Sequence, residues 1–255
     1  MTESATTQQQ KQFRILLIGD TCVDTYVYGR VDRISPEAPV PIFVPHREIV
    51  KEGMGGNVAK NLEALGCSLN FLHGKVSNKK RLIDERSKQQ VLRIDHDEIS
   101  DPIAIESEIP ATYDAIVISD YNKGTISYDL ITHLVKTATA PIFIDTKKTD
   151  LAQMNGCYIK INELEKSRAT SLPHPEWLIV THGEKGASWN GWAFGAKTVE
   201  VADVCGAGDT FLAALVYQYL STNGSVPNAI NFAIDASAVT VQHLGCYAPT
   251  LEEIQ

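Results

Sequence analysis

Asp203-Val204-Cys205-Gly206-Ala207-Gly208-Asp209-Thr210-Phe211 opens directly onto the apolar helical pattern Leu212, Leu215, Val216 and Tyr219. A loop of small residues at a helix start lets backbone N–H groups converge on an anion, with the positive end of the helix dipole behind them. Asp209 then stands beside that anion as a candidate base. The combination reads as phosphoryl transfer to a hydroxyl, with Asp209, Gly206, Ala207 and Gly208 as the candidate catalytic group. Taken alone, Gly-Ala-Gly-Asp is equally well explained as a plain helix start whose Asp209 only complements the dipole.

Working outward from that loop, short runs rich in β-branched residues recur: Ile15–Ile18, Phe71–Leu72, Ile116–Ile118, Ile142–Ile144, Tyr158–Ile161 and Leu178–Val180. Between them lie helical patterns, such as Val58, Leu62, Leu65 ending at Gly66, and Leu130, Ile131, Leu134, Val135. Strands alternating with helices predict an α/β fold, a mostly parallel central sheet flanked by helices. Ligands of such sheets sit at the carboxyl ends of the strands. Two stretches break the alternation: residues 26–50, with Pro36, Pro39, Pro41 and Pro45, and a short strand over Val91–Ile94 within residues 88–95. Prolines confine strands to edges, so the two are expected to form a small β lid. No repeat or linker divides residues 13–255, which are read as a single domain. Met1–Gln12 has neither a basic start nor an apolar core; it is expected to be a disordered tail and no signal peptide.

The chain has 255 residues and a formal net charge of -8. That charge argues against nucleic acid or a membrane surface as partner, both being polyanionic. No apolar run reaches the roughly 20 residues that span a bilayer. Cys22, Cys67, Cys157, Cys205 and Cys246 are scattered, with no C-x-x-C spacing, and read as reduced thiols of a cytoplasmic protein.

Further motifs each carry two readings. Thr181-His182-Gly183-Glu184-Lys185-Gly186 follows a strand and would line a nucleotide phosphate path, or serve as a turn between strands. It is no Rossmann fingerprint, and a Walker A loop is missing too, which disfavours hydride transfer and P-loop chemistry. Asn162 and Glu165 stand three apart, suited to a hydrated Mg²⁺ or to a helix capping box. Asp145 ends a strand where a metal or phosphate site would form. Asp24, placed just beyond the first strand, and Gly53-Met54-Gly55-Gly56-Asn57 suit a carbohydrate, or else the glycines serve helix–sheet packing. Lys75–Arg93 holds seven basic residues against two acidic ones, a site for a substrate phosphate or a solvated face.

In this order the motifs resemble the ribokinase-like (PfkB) carbohydrate kinases, and within them the heptose 7-phosphate kinases. The D-x-x-G-A-G-D-T-F signature carries the family. Arg33-Ile34-Ser35-Pro36-Glu37-Ala38-Pro39-Val40-Pro41, Asn57-Val58-Ala59-x-Asn61-Leu62, Gln89-Gln90-x-Leu92-Arg93-x-Asp95 and Ser119-Asp120-Tyr121-x-Lys123-Gly124 carry the branch. The resemblance implies ATP and Mg²⁺ as cofactors, with K⁺ in some members. It further implies a sugar phosphate as substrate, such as D-glycero-D-manno-heptose 7-phosphate phosphorylated at its anomeric hydroxyl, and a homodimer made through the lid. By position, Asp209 is the implied base and the amides of Gly206, Ala207 and Gly208 the anion hole. Thr181, Gly183, Gly186 and Asn162 fall on the nucleotide site, Glu165 and Asn162 near Mg²⁺, and Asp203 near the monovalent cation. Asp24, Gly55, Gly56 and Asn57, with Lys79 and Arg81, fall on the sugar-phosphate site. Alternatives are a kinase of the same fold for another sugar or a nucleoside, and a shortened relative that binds without turnover.

Departures from the family pattern are part of the reading. Members continue after the strand at Asn70–Leu72 with a G-x-D-x-x-G turn, a helix and another strand; here Gly74 leads almost at once into the basic run. A βα unit of some 30 residues is expected to be absent, which would expose a sheet edge, alter the dimer or open the site. Met54 stands where glycine is common and Cys205 where threonine is frequent. Two-domain members carry a nucleotidyltransferase, for which no sequence follows Gln255, so kinase chemistry alone is expected.

Overall fold

The computed structural model describes residues 12–104 and 112–254; the expected tail, apart from Gln12, lies outside them. The first strand, β1 (Arg14–Ile34), starts as the alternation predicts. Ile15 and Leu17 face one side and Leu16 and Ile18 the other, all at most 3% exposed. Apolar residues on both faces mark a strand covered by helices on both sides. Parallel to it run β5 (Ala115–Asp120), β6 (Ile142–Thr146), β7 (Tyr158–Asn162) and β8 (Leu178–Thr181), ending in the antiparallel pair β9 (Ala187–Trp189) and β10 (Trp192–Phe194).

One face of the sheet packs on α1 (Gly55–Ala64), α4 (Ala207–Ser221) and α5 (Val226–Thr240), joined at the end of the chain by α6 (Leu251–Ile254). The other packs on α2 (Tyr128–Thr137), through Leu130, Ile131 and Leu134. Each fully buried Leu or Ile contributes roughly 1.5–3 kcal/mol. Ser127 caps α2 by accepting the Leu130 N–H at 3.0 Å, and Asn162 caps α3 (Glu163–Arg168). In α4 all nine positions from Asp209 to Tyr217 are buried, so the apolar spacing at its start belongs to a helix enclosed on all sides rather than to an amphipathic one.

The lid is more extensive than the sequence suggests, because the core strands do not stop. β1 pairs with β5 only as far as Gly19↔Ser119; from Thr21 onward the same side of β1 is taken by antiparallel β2 (Pro41–Met54). On its other side β1 pairs in parallel with β3 (Ser68–Asp84) from Arg14 to Gly29. β4 (Gln89–His96) folds back on the far half of β3. The lid is therefore β2, outer β1, outer β3 and β4, with proline-bearing β2 at an edge, as expected. Asp24 lies inside β1, not beyond it.

At Gly74 the chain passes directly from core strand to lid strand. Between Gly19↔His73 and Thr21↔Val76 the register of β3 slips by one residue, a β-bulge at Gly74–Lys75 that carries the strand from core into lid. A Cβ on Gly74 would lie 2.2 Å from Ser100 Oγ and 2.4 Å from Thr125 Oγ1, so only glycine fits. Among the described residues no strand pairs with the outer side of Ser68–His73, so this stretch of β3 is an unpaired edge.

Candidate active site

α4 begins without a side-chain cap. Its N-cap, Gly206, has φ +79°, a left-handed conformation natural to glycine, and a Cβ there would lie 2.8 Å from Asn57 Nδ2. A first helical turn leaves N–H groups without intrahelical partners. Of the three amides expected to form the anion hole, that of Ala207 donates to Val204 O at 3.3 Å, so in this state it serves the loop's own turn.

Asp209, 8% exposed, is held from two sides. Asn57 Nδ2 donates to its Oδ2 at 2.8 Å and the Tyr121 hydroxyl donates to its Oδ1 at 3.1 Å. Burial pushes its carboxyl up to about 6, although the Asn57 amide pulls the other way. The spacing of Asn57 and Asn61 on α1 places both on one face. Asn57 reaches Asp209, and Asn61 Oδ1 accepts the Thr210 hydroxyl at 2.8 Å, so consecutive residues of α4 are tied to one helix. Tyr121 is set by Asp20, whose Oδ2 accepts the N–H groups of Tyr121 at 2.7 Å and Lys123 at 3.1 Å.

Beneath the loop, Lys160 on β7 is buried and ion-paired with Asp145 on β6 at 2.6 Å. A Cβ on Gly208 would lie 2.9 Å from Lys160 Nζ, so the missing side chain brings an ammonium group against the loop. Asp145 is thus committed to a lysine. Neither Lys160 nor Tyr121 stands out as a site residue in the sequence.

On the far side of α4 a cavity of about 850 Å³ opens, lined by Thr181, Gly183 and Gly186 together with Ala207, Gly208 and the apolar Val241. Its size is that of a cofactor pocket. Residues 183–185 form a 3-10 turn between β8 and β9, so turn and cavity wall are the same segment. Asn162 and Glu165 form a complete capping box: Glu165 N–H donates to Asn162 Oδ1 at 2.9 Å, and Asn162 N–H donates to Glu165 Oε2 at 2.8 Å. Lys147 pairs with the other oxygen of Glu165. Asp203 accepts the N–H groups of Cys205 at 3.0 Å and Gly245 at 2.9 Å. Among the described residues no group of three or more His, Cys, Asp or Glu is placed to cage a metal ion.

The lid face opposite the loop is basic. Register sets Lys51 of β2 and Lys79 of β3 on either side of Asp24. Arg81 Nη1 donates to Asp24 Oδ1 at 2.5 Å, and its guanidinium lies 5.0 Å from the Tyr26 ring centroid. Lys51 Nζ donates to the Cys246 carbonyl oxygen at 3.2 Å, so this face meets the α4 loop region. Arg81 thus partners Asp24 here. Gly55 and Gly56 open α1, and Cβ atoms on them would meet Asp20 O and Glu52 Cβ, both at 2.8 Å, so neither position has room for a side chain. Met54, where glycine is common, has φ +54°; a left-handed non-glycine costs of order 1–3 kcal/mol.

Residues 133–254 match the family model described as pfkB family carbohydrate kinase. The chain is 30% identical over 299 residues to the bifunctional protein HldE of Nitratiruptor sp., covering 95% of this chain and 64% of that one. Against bifunctional protein HldE of Campylobacter jejuni subsp. jejuni serotype O:6 the identity is 30% over 301 residues, covering 96% and 65%. The chain spans under two thirds of the length of these relatives. Both alignments run longer than the chain itself, which leaves dozens of the relatives' positions without a counterpart. Among solved structures, ribokinase from Thermotoga maritima superposes with a TM-score of 0.69 at 16% identity, over 95% of this chain and 98% of that one. Phosphofructokinase-2 from Escherichia coli in complex with potassium gives 0.68 at 15% identity, over 96% and 97%. At these identities the likeness shows the ribokinase-like fold.

Proposed function

We propose that this chain, whose residues 133–254 match the pfkB family of carbohydrate kinases and which is 30% identical to the HldE protein over 95% of its length, transfers the γ-phosphate of ATP to a hydroxyl of a sugar phosphate. The acceptor implied by its motifs is D-glycero-D-manno-heptose 7-phosphate at the anomeric position. The observation that carries the reading is the placement of Asp209. It is a buried carboxylate with a raised pKa at the start of α4, where a nucleotide-sized cavity and a basic lid face adjoin the same loop.

In this reading the acceptor hydroxyl gives its proton to Asp209, its oxygen bonds to the γ-phosphorus, and the bond to the β-phosphate oxygen breaks to release ADP. Asn57 and Tyr121 fix the carboxylate, so its basic oxygen is positioned before the sugar arrives. Lys160 and the free amides of the Gly206–Gly208 loop oppose the charge that builds on the transferring group. Thr181, Gly183 and Gly186 hold ATP. Lys51, Lys79 and Arg81 receive the phosphate that the sugar already carries, and Asp24 its hydroxyls.

Glu165, once released from Lys147, and Asn162 beside it would offer oxygen to a hydrated Mg²⁺ that arrives on the nucleotide. When bound, the ion would neutralise phosphate charge. Asp203, with a backbone N–H on each oxygen, keeps lone pairs for a monovalent cation. Exposed Val44, Val50, Leu92 and Ile94 on the lid support a homodimer through it. No helix among the described residues is long and apolar enough to cross a membrane, and a cytoplasmic setting, where ATP is plentiful, completes the proposal.

The test is ADP release with heptose 7-phosphate against a panel of hexose phosphates, pentoses and nucleosides. The proposal expects saturable release with the heptose phosphate first among them. ATP binding without release for any acceptor would favour the shortened, non-catalytic relative instead.

A further inference from the structure

Cys205 and Cys246 stand 41 residues apart in sequence, yet their sulfurs meet at 3.1 Å. Both are free and partly exposed, whereas Cys22, Cys67 and Cys157 are free and buried. The meeting is built in by Asp203, whose two oxygens hold the N–H of Cys205 and the N–H of Gly245. Lys51 pins the Cys246 carbonyl from the lid side. The neighbours Val204 and Leu244 are 71% and 80% exposed, so the pair lies in a segment open to solvent.

The same pair touches the glycine loop. Gly206 follows Cys205 directly, and a Cβ on it would lie 3.3 Å from Cys246 Sγ as well as 2.8 Å from the Asn57 amide that holds Asp209. A disulfide bond is about 2.05 Å long. Closing the present gap therefore draws the sulfurs together by about 1 Å, through the peptide that leads into Gly206. To the extent that the loop rather than side-chain rotation takes up this movement, the cost grows towards the roughly hundredfold of a 1 Å misplacement at a positioned site.

We propose that Cys205 and Cys246 are a redox modification site, which a small-molecule disulfide of the glutathione type converts to an intramolecular disulfide that distorts the Gly206–Gly208 loop and lowers phosphoryl transfer. The effect on transfer rests on the kinase reading; formation of the bond does not. One cysteine, as thiolate, attacks a sulfur of the small disulfide; a mixed disulfide forms and one small thiolate leaves. The second cysteine attacks the protein sulfur of that mixed disulfide, and the second small thiolate leaves. Two electrons pass from the protein sulfurs to the small disulfide, and the two cysteine protons end on the two small thiols.

The test treats the full chain with oxidised glutathione. It reads intact mass, a chymotryptic map, the ATP-induced rise in Tm and ADP release, each before and after dithiothreitol. Expected are a loss of about 2 Da, a Cys205–Cys246 link, a kcat at least about tenfold lower, a smaller ATP-induced shift, and reversal by the reductant. Cys205→Ser and Cys246→Ser each take up glutathione without forming an internal link. An unchanged mass, or a stable mixed disulfide in the parent chain, overturns the site. A linked chain with undiminished rate and ATP response overturns its effect. A reduced chain that releases no ADP with any acceptor counts against the kinase reading, while mass and map still decide the site.

Discussion

The two sides of this molecule follow different construction rules. On the nucleotide side, β6, β7 and β8 are short parallel strands, and each sets one candidate site residue in its last two positions, where the strand gives way to a loop: Asp145, Asn162, Thr181. On the lid side, β1 and β3 run without a break from core to lid over 21 and 17 residues, and their functional side chains lie within the strands themselves. A residue at the last positions of a short strand, next to a loop, can be re-aimed at less cost than one in the middle of a long paired strand, which register fixes. The nucleotide side is thus a set of separately adjustable contacts. The lid side is a single plate, joined to the core by one bulge at Gly74, and Asp209 stands where the two sides meet.

Asp209→Asn is the strongest way to sharpen that picture. Removing the base is expected to lower kcat about 10²–10⁴-fold, with ATP and acceptor still bound and Tm essentially kept, as read by ADP release, calorimetry and thermal unfolding. Arg81→Met tests whether the sides act separately. It takes a guanidinium from the lid plate and leaves Asp24 unpaired, so acceptor KM should rise about 10–100-fold, the 1.5–3 kcal/mol of a charged hydrogen bond. The KM for ATP should stay put; a parallel rise in both would break the division.

Tyr121→Phe removes one hydrogen bond to the carboxylate at the junction. Its expected effect on kcat is at most about tenfold, with the pH at half-maximal rate moving upward because the Tyr121 hydroxyl favours the ionised form. A merely structural tyrosine would lower Tm and leave that pH alone. The smallest effect is on stability. Asp209 has its carboxyl raised from 3.8 to about 6 in the folded chain, so the folded state holds its proton more tightly than the unfolded one. The stability this contributes is complete below about pH 3.8 and is lost as pH rises through about 6. Tm of the parent chain, relative to Asp209→Asn, should therefore fall between pH 4 and pH 7; a constant difference would mean that Asp209 is solvated.

Much of the nucleotide side is legible in the sequence because its signals are local. The apolar runs from Ile15 to Val180 fall on strands, the glycine loop opens a helix, and Asn162 with Glu165 is a capping pair readable from spacing alone. The lid side is less legible. Nothing local shows that Asp24 lies inside β1, since β1 outruns the usual strand length of five or six residues. The sequence alone does not show that Phe71 and Glu52 pack against Gly55 and Gly56, so the steric need for glycine at both is seen only in the fold. Contacts across the junction were hidden for a different reason. Asn57 and Asp209 are 152 residues apart, Tyr121 and Asp209 are 88 apart, and Lys160 meets Gly208 only through the sheet. Motif order names Asn57, Gly208 and Asp209, but only the packing of α4 against α1 and the sheet brings Asn57, Tyr121 and Lys160 to its start.

The central claim is that Asp209 acts as a base at the seam between nucleotide and acceptor, and the pH dependence of kcat with heptose 7-phosphate tests it most directly. For the parent chain the account predicts a rate that rises with pH and levels off above an apparent pKa near 6. Asp209→Asn should lack both the rise and the rate. A variant that turns over like its parent, with the same rise through pH 6, would contradict it.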